Sequence, residues 1–184
     1  MAAALVSASC TRTEVEPPPS PTLADFCEPL RNVLDSEEIT PDAKIERTSH
    51  WLGKKIKDVN DVQMTCWYKS SDRDTTTAMS ILSPVKGDFD LEATNKALTN
   101  PPNGMRFLDG HSAPIWFEDH RQIGEMPQKG VTAELITIVG KWRGYITING
   151  GTDPLPISDE QVARLADVLI EATRKTNEPP DGQK

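Results

Sequence analysis

The stretch VTAELITIVGKWRGYITIN, residues 131–149, decides the fold of this 184-residue chain. Its two halves are rich in β-branched side chains, and the GKWRG segment between them carries two glycines. β-branched runs on both sides of a short glycine-containing turn are typical of a β-hairpin. The stretch therefore predicts two antiparallel strands near the C-terminus.

A helix is predicted directly after the hairpin, in ISDEQVARLADVLIEATRKT (157–176). Ser158 and Gln161 have the spacing of a capping box, and Arg174 and Lys175 suit the negative end of the helix dipole. Apolar residues recur at helical spacing and form one stripe: Val162, Leu165, Ala166, Leu169 and Ile170.

The rest of the folded part predicts further strands and short helices. Alternating or β-rich runs predict four strands: 62–70, 75–82, 105–108 and 113–117. Helical spacing and start signals predict three helices: 28–36 behind Cys27, 40–53 behind Thr40-Pro41, and 88–98. We expect an α+β fold, an antiparallel sheet with N-terminal and C-terminal helices packed on it and one disulfide.

The charge balance excludes some classes of partner. The chain has 20 Lys and Arg against 28 Asp and Glu, a formal net charge of -8. An acidic surface repels phosphate backbones, and we see no Lys/Arg stripe that would overrule this, so we expect no nucleic-acid binding. Charge alone is not expected to hold the protein on an anionic membrane. No stretch has the roughly 18 to 20 apolar residues of a spanning helix.

The N-terminus has the features of an exported, lipid-anchored protein. Residues 1–9 are small and apolar, like the back half of a signal peptide, although a basic start is absent. Cys10 follows at the position where a bacterial lipoprotein is cut and acylated. Residues 10–22 are rich in Pro, Ser and Thr and predict a semi-extended tether of about 35 Å. The prediction is one α+β domain over 23–176 and a disordered tail over 177–184.

The three cysteines fit this interpretation. In an exported protein, Cys27 at the first helix and Cys66 on the first strand both have apolar neighbours and can form a bridge. The bridge would close a loop of about 40 residues, worth roughly 3 to 4 kcal/mol in the chain-entropy model. Cys10 is then the remaining cysteine, available for lipid. Two buried free thiols, or three scattered thiols in a cytosolic protein, are the alternatives.

The same positions carry a family resemblance. Cys10, Cys27 in an early helix and Cys66-Trp67 on a strand, followed by a late hairpin and a C-terminal helix, resemble the small actinobacterial lipoproteins grouped as DUF3558. The resemblance implies a cell-envelope lipoprotein with an α+β sandwich. The acyl anchor expected at Cys10 is of the palmitate type. The resemblance implies no reaction, because none is established for that family.

The sequence indicates no catalytic or metal centre. His111, His120 and a carboxylate could in principle bind zinc, but their spacing matches no known zinc-binding pattern. Scattered surface histidines are therefore the preferred interpretation. We find no G-x-S-x-G and no Cys–His pair, and we expect no enzyme activity, metal or cofactor.

Aromatic residues are the better candidates for function. Trp116 on a predicted strand, and Trp142 beside Arg143 in the hairpin turn, are expected to bind a partner if they are exposed, while a Trp142 folded back onto the sheet is the alternative. Trp51 and Trp67 are expected in the core. The predicted function is a non-enzymatic binding or accessory module on the extracytoplasmic face of the membrane, with an envelope protein or lipid as ligand. An interference protein that blocks uptake or superinfection, and an envelope hydrolase with unidentified carboxylates, are the alternatives.

Overall fold

The structure, a computed structural model, describes residues 20–58, 63–71, 76–85, 105–121, 131–149 and 157–177. The predicted signal-peptide segment 1–9, the helix predicted at 88–98 and the tail beyond Asn177 lie outside these residues. Of the tether predicted over 10–22, residues 10–19 also lie outside, whereas 20–22 are described and Pro21 and Thr22 bond to the domain. In chain order the elements are α1 (Leu23–Ser36), β1 (Lys44–Thr48), a 3-10 turn (Ile56–Asp58), β2 (Met64–Lys69), β3 (Thr76–Pro84), β4 (Arg106–Phe107), β5 (Ile115–Asp119), β6 (Val131–Val139), β7 (Trp142–Asn149) and α2 (Asp159–Lys175).

The strands form one seven-stranded antiparallel sheet in the order β1-β2-β3-β7-β6-β5-β4. The two helices pack along each other on one face of this sheet. Gly144 on β7 is the point of closest approach, because a Cβ there would collide with the Thr173 hydroxyl of α2. The predicted α+β class, with terminal helices on an antiparallel sheet, is confirmed.

The hairpin and the C-terminal helix form as their sequences predict. Strands β6 and β7 pair from Val131↔Asn149 to Val139↔Trp142. Gly140, with φ +57°, occupies the first turn position, which glycine adopts without steric cost. The capping box at the start of α2 is present, since the Ser158 hydroxyl accepts from the Gln161 amide and the Gln161 side chain accepts from the Ser158 amide.

Helix α1 begins earlier than predicted. It starts at Leu23, five residues before the predicted start, and contains Pro29 in its interior. Proline costs a helix one backbone hydrogen bond. Here a capping box at the start, in which Asp25 accepts from the Thr22 amide and hydroxyl, stabilises the first turn. The apolar stripe of α1 is buried: Leu23, Phe26, Cys27, Leu30, Val33 and Leu34.

The helix predicted over 40–53 is wrong. Residues 44–48 form edge strand β1, and residues 49–55 form a loop. Glu38 and Asp42 have positive φ values of 56° and 52°, so the chain turns sharply where the predicted helix would begin. Strand β1 has no fully buried residue, which explains why its sequence lacks a strand-like alternation.

Candidate functional site

A disulfide joins the first helix to the sheet. Cys27 on α1 and Cys66 on β2 are bonded, with Cα atoms 6.2 Å apart, and both residues are 0% exposed. Beside them the Tyr68 hydroxyl donates to the Cys27 carbonyl at 3.2 Å and lies 2.7 Å from the Ser80 hydroxyl. Burial raises the pKa of this phenol well above its usual range. The expected pairing is confirmed.

The tryptophans expected at a partner surface are not accessible in this structure. Trp142 is 5% exposed and Trp116 is 3% exposed. The hairpin turn consists of Gly140 and Lys141, so Trp142 is already the first residue of β7 and points to the face that carries the helices. Arg143, one residue on, points to the opposite face and is exposed. Trp142 is therefore folded back onto the sheet, the alternative given for it, and the expected exposure of Trp116 is wrong, so Arg143 alone of the three is exposed.

The histidines lie too far apart in the fold to share a metal. His111 precedes β5, and its Nδ1 lies 2.7 Å from an Asp167 carboxylate oxygen on α2. His120 follows β5, and its Nε2 lies 3.2 Å from Glu118. The whole of β5 separates the two rings. No group of three potential metal ligands occurs among the described residues.

An ion network centred on Arg121 lies at the end of the sheet where α2 begins. Arg121 bonds the carboxylates of Asp119 and Asp159, each at 2.6 Å, and donates to the Ile157 carbonyl at 2.8 Å. The hydrogen bonds from Arg121 hold the pKa of Asp119 below its usual range. The network links β5 to the start of α2, so its role is structural.

The most exposed aromatic side chain in the described part of the chain is Trp51, at 72%. It lies in the segment between β1 and β2, and its ring rests against Gly53, where any Cβ would collide with it. The Lys54 amide donates to the Trp51 carbonyl at 2.9 Å, which closes a turn under the ring. The expectation that Trp51 packs in the core is therefore wrong. Trp67 is only half-buried, beneath the guanidinium of Arg47 at 4.4 Å from the ring centre.

The Trp51 loop, defined as residues 51–57, is bound to the start of α1. The amides of Leu23 and Ala24 donate to the carbonyls of Lys54 and Leu52 at 3.0 and 2.9 Å. The Ile56 amide donates to the Pro21 carbonyl at 2.9 Å. Leu52 and Ile56 pack against the core, so the loop is anchored and its other side chains are turned outward.

Three of those outward side chains are lysines. Lys55 and Lys57 are exposed and Lys54 is half-buried. None of the three ammonium groups forms a salt bridge with a side chain in the described ranges. The loop therefore combines an exposed indole with three ammonium groups that have no carboxylate partner among the described side chains.

The sequence contained a signal for this surface. Between positions 44 and 57 there are five basic residues, Lys44, Arg47, Lys54, Lys55 and Lys57, against one acidic residue, Glu46. The whole-chain charge of -8 obscures this local excess.

Comparisons with known proteins return no relative. No family model, no curated protein and no solved structure matches the chain. Among the residues that the structure describes, no helix is long and apolar enough to cross a membrane.

Proposed function

We propose that this chain is an extracytoplasmic lipoprotein whose α+β domain acts as a non-enzymatic binding or accessory module at the cell envelope. Acylation of Cys10 would hold the domain at the membrane surface. The observation that carries the proposal is the fully buried Cys27–Cys66 disulfide. Structural disulfides form and persist in oxidising compartments and are rare in the cytosol.

The arrangement of the three cysteines adds support. A disulfide between Cys27 and Cys66 leaves Cys10 as the odd thiol, 13 residues before the start of α1. A single acyl chain binds membranes only marginally, whereas the several chains of a bacterial lipoprotein anchor it firmly.

The experiment is an intact-mass measurement on protein purified from its native host, before and after reduction. The proposal predicts a chain that begins at Cys10, carries acyl groups and gains two hydrogens on reduction. A Cys10→Ser variant serves as the control, because it should lose the acyl mass and leave the membrane fraction while it keeps the disulfide. A chain that begins at Met1 with three free thiols would refute the proposal.

The non-enzymatic part of the proposal has its own test. The purified oxidised domain is incubated with cell-wall and lipid fractions of the host, and the soluble products are followed by mass spectrometry. We expect stoichiometric retention of a component without new products. Catalytic release of fragments, with many product molecules per protein molecule, would instead establish a hydrolase.

A further inference from the structure

The charged side chains are sorted between the two ends of the sheet. The start of α1, the end of α2 and the β6–β7 turn all lie at one end of the sheet. The start of α1 bonds to the Trp51 loop, and Asn177, which follows α2, bonds to Lys141 and Val139 at the β6–β7 turn. We call this the tether end, because the chain enters the domain there at Ser20. Its described basic side chains outnumber its described carboxylates, seven to five: Lys54, Lys55, Lys57, Lys141, Arg143, Arg174 and Lys175 against Asp25, Glu28, Asp109, Asp167 and Glu171.

The opposite end has the reverse balance. Helix α1 ends there and α2 begins there, beside the Arg121 network. Its ten described carboxylates outnumber six basic side chains: Asp35, Glu37, Glu38, Asp42, Glu46, Glu118, Asp119, Glu134, Asp159 and Glu160 against Lys44, Arg47, Lys69, Arg106, Arg121 and Arg164. Within the part of the chain that the structure describes, the charges are therefore polarised, with an excess of positive charge at the tether end of a molecule that is acidic overall.

The exposed indole lies at the positive end. Trp51 is in the loop that hydrogen-bonds to the start of α1, so it lies beside the point where the tether joins the domain. Cys10 lies ten residues before Ser20 in the chain. An extended chain spans at most about 3.6 Å per residue, so an acylated Cys10 lies within about 36 Å of the tether end.

We infer that the tether end is a membrane-contact surface for bilayers with anionic headgroups, in which Trp51 enters the headgroup layer and Lys54, Lys55 and Lys57 contact lipid phosphates. Tryptophan concentrates at membrane interfaces because its ring is apolar and its N–H is polar. Lysines near an anionic bilayer are attracted by its surface potential. This inference deepens the proposed function, since it supplies the orientation of a domain held at the membrane through Cys10.

A bilayer fits this surface better than an acidic protein. The indole and the lysines project from a loop instead of lining a groove, and a soft planar layer accepts such a protrusion. The acidic opposite end is repelled by the same headgroups, so the charge distribution favours one orientation. That orientation presents the acidic end, with the Arg121 network, to the extracytoplasmic space.

The test uses the full chain with Cys10→Ser, so that no acyl chain contributes, in its oxidised form. Sedimentation with vesicles of phosphatidylcholine alone, and with phosphatidylglycerol added, measures binding. We expect binding only to the anionic vesicles, and weaker binding at higher salt because exposed charges are screened. Because the protein is not acylated, a failure here is distinct from a failure of lipidation, which the intact mass reports.

Two matched variants separate local from net charge. Lys55→Glu/Lys57→Glu changes the tether end, whereas Lys44→Glu/Arg164→Glu makes the same change, from -8 to -12, at the opposite end. Each lysine near an anionic surface is worth about fivefold in affinity, so the first variant should bind at least about 25-fold more weakly. The second should stay within about threefold of the parent protein.

Trp51→Ser tests the indole. Burial of roughly 55 Å² of the ring, about a quarter of a tryptophan's apolar surface, corresponds to about tenfold in affinity. The exposed position predicts an unchanged unfolding midpoint for this variant. Equal binding to neutral and anionic vesicles, an equal loss in both charge variants, or undiminished binding of Trp51→Ser would each overturn the inference. Binding of an acidic protein at the same lysines without vesicle binding would identify the other class of partner.

Discussion

Removal of the Cys27–Cys66 bond should cost the domain a large share of its stability. The bond closes a loop with a sequence separation of 39 residues. In the chain-entropy model a loop of this size restricts the unfolded chain by about 13 cal/mol/K, which is about 4 kcal/mol at 25 °C. Typical domains have only about 5 to 15 kcal/mol in total, so the reduced protein should be marginally stable.

The structure indicates that this loss will come mainly from the cross-link. Cys27 and Cys66 are both fully buried among apolar side chains, where reduced thiols pack as small apolar groups. Reduction therefore creates no cavity and exposes no charge. Helix α1 packs mainly along α2 and contacts β1, β2 and β3 lightly, so the bond is its strongest link to the sheet.

The assay is urea unfolding of the Cys10→Ser protein, with and without reductant, followed by far-UV circular dichroism. We expect the free energy of unfolding to fall by about 4 kcal/mol and the thermal midpoint by about 8 to 16 °C. Cys27→Ala/Cys66→Ala is the control, because reductant should not change its stability further. A loss below about 1 kcal/mol would refute the reasoning, and would mean that the unfolded chain gains little freedom without the bond.

Three further predictions concern the core and the ion network. Gly144→Val should lower the free energy of unfolding in urea by about 2 to 3 kcal/mol, because the new side chain collides with Thr173 and pushes α2 away from the sheet. An unchanged unfolding midpoint would contradict this contact. Tyr68→Phe should cost about 1 to 3 kcal/mol in the same assay, since it removes a fully buried hydroxyl with two partners, and a neutral effect would show that water replaces it. The hydrogen bonds from Arg121 lower the pKa of Asp119 in the folded protein. The ion pair of Asp119 with Arg121 therefore stabilises the fold at pH values above 3.8, the ordinary pKa of the group, and this stabilisation is lost as the pH falls through the folded-state pKa. The stability difference between the parent protein and Asp119→Asn should therefore shrink in acid, and a difference that is constant from pH 7 to pH 3 would exclude this explanation.

Local sequence patterns were sufficient to predict an element that has one apolar face and clear signals at its ends. Helix α2 and the β6–β7 hairpin form as predicted because capping box, apolar stripe and turn glycine all favour the same conformation. The disulfide was also predictable, since each cysteine lies on the apolar face of its own element. These features depend on neighbours within a few residues or on a strong hydrophobic pattern.

The charge distribution and the candidate surface required the tertiary structure. The composition gives one net charge for the chain, but only the antiparallel arrangement of α1 and α2 brings the described basic segments to one end and the described acidic segments to the other. The local excess of basic residues near Lys54 was present in the sequence, yet its meaning depends on the loop lying beside the start of the domain.

The sequence by itself determined the fold class and the acidic character of this protein, because they follow from local periodicity and from composition. It favoured the Cys27–Cys66 pair, and the structure shows the bond. Only the tertiary structure decided which tryptophans are exposed. Trp142 is buried because a two-residue turn makes it the first residue of β7, on the face against the helices, and Trp51 is exposed because Leu52 and Ile56 anchor its loop. Exposure depends on which side of a backbone faces the core, and contacts between residues far apart in the sequence set that side.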